Sequence, residues 1–170
     1  FEPVVALDLE TTGLDPHRDE ARLLQIAAES EEVLVCDLSR LGPAGCRRIG
    51  EFLDSSAVKV FHNGKFDLKF LRALGLFPKG PYFDTFLASQ LIDGGADGRR
   101  HSLEALADDF LKVRLAKALQ RSDWGRDLST SQLAYAARDG EVTFLLRKAL
   151  IPHLVKLGLV ATAKLEFDCL

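Results

Sequence analysis

The chain has 170 residues and a formal net charge of −3, from 22 basic and 25 acidic side chains; 47% of its residues are hydrophobic and 28% are charged. That is enough chain for one domain with a full core, and the composition is that of an ordinary soluble globular protein. The charge balance excludes a protein that holds long duplexes by bulk positive charge, and no apolar run is long enough to span a bilayer.

No basic n-region followed by an apolar h-region marks a signal peptide. The first residue is Phe1 rather than Met, which reads as a fragment of a longer protein. Cys36, Cys46 and Cys169 are odd in number and widely spaced. They form neither a disulfide framework nor a zinc pattern, and they suit a reducing compartment.

Val4-Val5-Ala6-Leu7 predicts a buried strand that runs into Asp8-Leu9-Glu10-Thr11. Side chains alternate along a strand, so Asp8 and Glu10 project from one face. Two adjacent carboxylates repel, and a hard cation such as Mg²⁺ or Mn²⁺ between them relieves that cost. On their own the two acids fit either such a site or a solvent-facing strand end. Residues 12–17 form a turn-rich loop. Arg22–Glu29 and Glu32–Leu38 read as two antiparallel strands, because so tight a connection leaves no room for a crossover. After the break at Gly42-Pro43, Ile49, Phe52 and Leu53 suit one face of a short helix.

Val58–Phe61 is a further short strand, leading into His62-Asn63-Gly64-Lys65-Phe66-Asp67. Phe66, Phe70 and Leu74 recur at helical spacing, with Gly75 as the stop signal. Asn63 and Asp67 are four apart and share a face near the start of this helix. Phe86, Leu87, Leu91 and Ile92 predict another helix, followed by a connector at residues 94–98. Ser102 caps a helix through Leu103, Leu106 and Phe110. Ser129 starts the last long helix, which Pro152 should end or kink. Tyr135 and Asp139 lie one turn apart on it. His62 and Asp84 read as packing, hydrogen-bonding or capping groups, and Trp124 as a packing anchor.

Asp8-Leu9-Glu10-Thr11, Asn63-Gly64-Lys65-Phe66-Asp67 and Tyr135-Ala136-Ala137-Arg138-Asp139 stand in the order of the three motifs of the DEDD exonucleases. The resemblance covers nearly the whole chain. No histidine occurs between His101 and His153, so Tyr135 places the chain in the tyrosine branch. It looks most like the proofreading 3′-5′ exonuclease domain of family A DNA polymerases. The stretch 119–124 and Leu128-Ser129 carry that likeness, and ribonuclease D and RecQ-associated exonucleases share similar signatures. The tail 163–170 resembles the start of a polymerase region.

The resemblance implies an α/β fold: a ribonuclease H-like mixed sheet of about five strands flanked by helices. It implies an exonuclease domain over residues 1–160, with 161–170 leading toward a polymerase region. It implies catalysis by Asp8, Glu10, Asp67, Tyr135 and Asp139, the four acids holding two divalent cations, Mg²⁺ or Mn²⁺. Leu14, Asn63 and Phe66 would meet the substrate, a single-stranded DNA 3′ end, although Phe66 at helical spacing with Phe70 suits core packing better. The expected partner is a family A polymerase region, the isolated domain is expected to be monomeric, and a bacterial source would place it in the cytoplasm or at the nucleoid. The same residues would also serve a ribonuclease D-like exoribonuclease, or persist in an inactive single-strand-binding or structural domain.

Overall fold

The computed structural model describes residues 3–30, 32–95, 100–115, 119 and 122–170. Five strands form one mixed sheet: β1 (Val4–Thr11), β2 (Ala21–Ala27), β3 (Val33–Asp37), β4 (Val58–Phe61) and β5 (Tyr82–Asp84). Their order is β3-β2-β1-β4-β5. The first three strands are antiparallel neighbours, whereas β4 and β5 run parallel to β1. This is the mixed α/β sheet expected from the sequence.

Among the described residues, six helices flank it: α1 (Pro43–Leu53), α2 (Lys65–Ala73), α3 (Thr85–Asp93), α4 (Leu103–Leu106), α5 (Thr130–Lys156) and α6 (Val160–Asp168). Strand alternation assigns the two faces of β1. Leu7 and Leu9 join Leu53, Phe61, Leu68 and Leu71 in the core beneath α1 and α2. Ala6 joins Val60, Val142, Leu146 and Leu150 beneath α5. Asp8 and Glu10 continue the Ala6 side, so they project toward α5.

Pro152 does not end the last long helix, which continues to Lys156. Leu150 and Leu154, on either side of the proline, are both buried, and their burial offsets the lost backbone hydrogen bond. The 161–170 tail is largely helical: α6 seats Ala163 and Phe167 in the core, with Phe167 4.8 Å from Phe83 ring to ring. The helix predicted from Ser102 forms as α4 and then widens over residues 107–111. The connector expected at residues 94–98 lies partly outside the described residues, at 96–98, as do Gln120 and Arg121 of the 119–124 stretch. Among the described residues, no helix is long and apolar enough to cross a membrane.

Candidate active site

The site forms where β1 outruns its parallel neighbour. Pairing between β1 and β4 ends at Ala6 and Val60, whereas pairing with β2 continues through Glu10. The Leu9 N–H on the unpaired edge is therefore available to side chains, and it hydrogen-bonds the carboxylates of Asp8 and Asp67. Ligand sites of open α/β sheets gather at such carboxyl ends of strands.

The third acid arrives on α5, whose start is fixed by reciprocal capping between Ser129 and Gln132. The Gln132 side chain also donates to the Ser122 hydroxyl and the Asp123 carbonyl, both at 3.2 Å. Arg22 pairs with Asp37 at 3.0 Å and donates to the carbonyls of Trp124 and Arg126. It ties the loop before α5 to the sheet. Trp124 is buried with Leu23 and Ala136 and packs against Tyr135 at 6.4 Å, so it is the packing anchor expected. Gly140 lets α5 sit close to β2, because a Cβ there would lie 3.1 Å from the Gln25 Cβ. Gln25 is the register partner of Asp8, so this close approach is what delivers neighbouring Asp139 to Asp8.

Carboxylate oxygens of Asp8, Glu10 and Asp139 come within 4.8 Å of one another. Burial is the main cause of their raised pKa values, and neighbouring carboxylates add to it. Asp8 is pushed up to about 8, with Asp139 the opposing charge. Glu10 is pushed up to about 9, with Asp8, Asp139 and Asp67 all contributing. Asp139 rises to about 6, held down in part by a hydrogen bond from Tyr135. The Tyr135 hydroxyl is itself raised by burial and by the Asp139 charge, so it remains a protonated donor at neutral pH. Three clustered oxygen donors that resist ionising together fit a hard divalent cation, which would balance their charge.

Asp67 stands apart from the triad in geometry. It is buried on α2, and burial followed by the Asp8 charge raises its pKa. Asn63 adopts a left-handed backbone, φ 60°, which Asn tolerates better than most residues. Gly64 follows because a Cβ there would lie 2.6 Å from the Phe61 Cβ. Asp84 holds this turn. Its carboxylate accepts the N–H groups of Asn63 and Gly64, at 3.2 and 2.7 Å, and caps α3 through Phe86 and Leu87. His62 Nδ1 lies 2.9 Å from the Thr85 hydroxyl, the hydrogen-bonding role expected of it. Phe66 packs on Phe70 at 5.0 Å and, with Leu14 and Asn63, also lines a shallow groove beside the site.

The cavity over the triad is about 220 Å³ and includes His62, Tyr135 and Glu104 in its wall. Glu104 escaped the sequence reading. Its only signal was an acid in the first turn after the Ser102 cap, and such acids commonly serve the helix dipole. Its charge acts on both Asp139 and His62.

A ribonuclease H-like sheet with an acidic cluster at its central strand defines a hydrolytic nuclease. The chain belongs to the 3′-5′ exonuclease family, whose sequence profile matches residues 2–155. It is 39% identical over 138 residues to DNA polymerase I of Aquifex aeolicus, covering 81% of this chain and 22% of that protein. It is 35% identical over 156 residues to ribonuclease D of Musicola paradisiaca, covering 87% of this chain and 38% of that protein. The chain thus spans well under half the length of either relative. The solved structure of Brucella melitensis NrnC superposes with a TM-score of 0.85 at 33% identity, over 98% of this chain and 81% of that one. NrnC structures with bound Mg²⁺ and with bound pGG are also similar to this chain.

Proposed function

We propose that this chain is the proofreading exonuclease unit of a DNA polymerase, releasing nucleotides from single-stranded DNA 3′ ends with two divalent cations, Mg²⁺ or Mn²⁺. The observation that carries the reading is the convergence of Asp8, Glu10 and Asp139 within 4.8 Å. Bound divalent cations would supply Lewis acidity and an acidified water at neutral pH. Asp8, Glu10 and Asp139 would hold them, and Asp67, beside Asp8, would complete the acidic wall. Tyr135 would orient the attacking water by hydrogen bonding: a tyrosine hydroxyl is a poor base at neutral pH, and burial and the Asp139 charge raise its pKa further. Leu14 and Asn63 would meet the terminal nucleotides, and the Phe66 ring would line their path.

Residues 1–160 would form the exonuclease unit, with 161–170 leading toward the polymerase region. The likeness to a DNA polymerase I supports DNA as substrate. A second reading, trimming of RNA 3′ ends, has support in the likeness to a ribonuclease D. The test is kcat/KM on matched DNA and RNA oligonucleotides of one sequence, because the 2′-hydroxyl is the group on which the two differ. A DNA preference of about tenfold or more, roughly the worth of one hydrogen bond, is the expected result. Faster hydrolysis of RNA would replace the DNA reading with the second one. Absence of hydrolysis on both, in folded protein with Mg²⁺ or Mn²⁺, would favour a binding or structural module.

A further inference from the structure

The molecule has a second concave region that the carboxylate chemistry does not use. Lys65, Lys69 and Arg72 follow one another on α2 at spacings of four and three, which sets them along one side of the helix. All three are exposed. None is held in an ion pair among the described residues. The helical rise puts Lys65 and Arg72 about 10 Å apart along the axis.

The facing wall is the loop between β1 and β2. Leu14, Pro16 and Lys69 are shared by two adjoining hollows, of about 270 and 770 Å³. Leu14 is 84% exposed, more than any other large apolar side chain among the described residues. The smaller hollow ends at Asn63 and Phe66, and the preceding residue, His62, lines the carboxylate cavity. The groove therefore leads away from the acids. The larger hollow holds one acid, Asp15, and its carboxylate lies 3.5 Å from Arg18.

Charge makes this arrangement informative. The chain as a whole is anionic, and the site gathers several carboxylates, so a phosphodiester strand is repelled unless cations offset that field. A row of unpaired cations opposite an exposed apolar side chain is the pairing that single strands require: charge for the backbone and an apolar surface for bases of any sequence.

We infer that the groove between α2 and the 12–19 loop binds the sugar-phosphate backbone of the substrate strand on the 5′ side of its terminal nucleotides, with Lys69 and Arg72 contacting phosphates. The inference rests on the exonuclease reading for the position of the 3′ end, but binding in the groove is measurable without hydrolysis. The probes are 5′-fluorescein octanucleotides of deoxythymidine and of uridine, followed by anisotropy in EDTA. Lys69→Glu/Arg72→Glu is expected to weaken binding of both by tenfold or more. It should also flatten the plot of log affinity against log salt by about 0.7 for each lost phosphate contact. Lys156→Glu, at the far end of α5, should change affinity less than twofold. In Mg²⁺, KM of the wild type should fall from dinucleotide to octanucleotide, and the double variant should lose that dependence. Unchanged affinity and salt slope in the double variant would overturn the groove assignment whether or not hydrolysis occurs. A wild type that binds the octanucleotides through these residues but hydrolyses none would instead overturn the exonuclease reading alone.

Discussion

Asp139→Asn, and equally Asp8→Asn, should cut hydrolysis by about 10³-fold or more while raising the melting temperature of the metal-free protein. The two effects have one cause. In the absence of a cation, burial and like-charge repulsion lift Asp8 to about 8, Glu10 to about 9 and Asp139 to about 6. A neutral amide of the same shape removes one charge from that cluster. Each unit of relieved shift corresponds to about 1.4 kcal/mol. Solvent screening at the half-open Asp8 and Glu10 leaves about 1 kcal/mol of this, which is roughly 2–4 °C for a chain of this size. The amide oxygen is a far weaker cation ligand than a carboxylate, so several kcal/mol of transition-state stabilisation is lost with the metal, or about 10³-fold in rate. Thermal denaturation in EDTA and single-turnover hydrolysis in Mg²⁺ measure the two sides. Full activity in Asp139→Asn, or a lower melting temperature for both variants in EDTA, would contradict the assignment.

The second large effect is a pH-dependent stability whose sign a divalent cation reverses. The folded-state pKa values of Asp8 and Glu10 lie above their ordinary values of 3.8 and 4.5. The folded protein thus retains protons that the unfolded chain has released. This contribution to stability is fully present below pH about 4 and is lost as pH rises through about 8 and 9. His62 works in the opposite direction. Burial lowers its pKa from 6.5 to about 4, so its contribution grows as pH rises through that interval. Asp37, lowered mainly by its hydrogen bond from Arg22, contributes stability that is lost only in acid. The diagnostic window is therefore pH 7–9, where the melting temperature in EDTA should fall steadily. Mg²⁺ or Mn²⁺ binds the deprotonated carboxylates, so the gain from adding it should increase over the same range. At about 100 times the dissociation constant that gain is about 2.7 kcal/mol, or roughly 5–10 °C. A flat profile in EDTA, with no cation-dependent gain at pH 9, would show that the three acids do not act as one repulsive cluster.

Which acids share a face was legible in the sequence; the distances between faces were not. Alternation along β1 placed Asp8 and Glu10 together, and the four-residue spacing stacked Tyr135 and Asp139, because both patterns are local consequences of backbone geometry. The gap between β1 and α5 depends instead on how closely α5 settles on β2. Gly140 permits that approach at a position where the sequence shows only a glycine inside a helix. Asp67 illustrates the same limit. Its helical position put it near the site, but the packing of α2 leaves it beside Asp8 rather than within the close triad. Glu104 joins the cavity wall because α4 folds over it, a tertiary relation that its neighbours in sequence do not encode. Pro152 suggested a helix end or a kink on local grounds, and burial of Leu150 and Leu154 carried the helix past it.

The most direct test of the central claim is a time course on a 5′-labelled single-stranded oligonucleotide, in Mg²⁺ and in EDTA, for the wild type and Asp139→Asn. Cation-dependent hydrolysis at Asp8, Glu10 and Asp139 predicts a ladder shortening by one nucleotide at a time from the 3′ end in the wild type with Mg²⁺. No shortening is expected in EDTA or in the variant. Equal shortening in EDTA, or by Asp139→Asn in Mg²⁺, would contradict it.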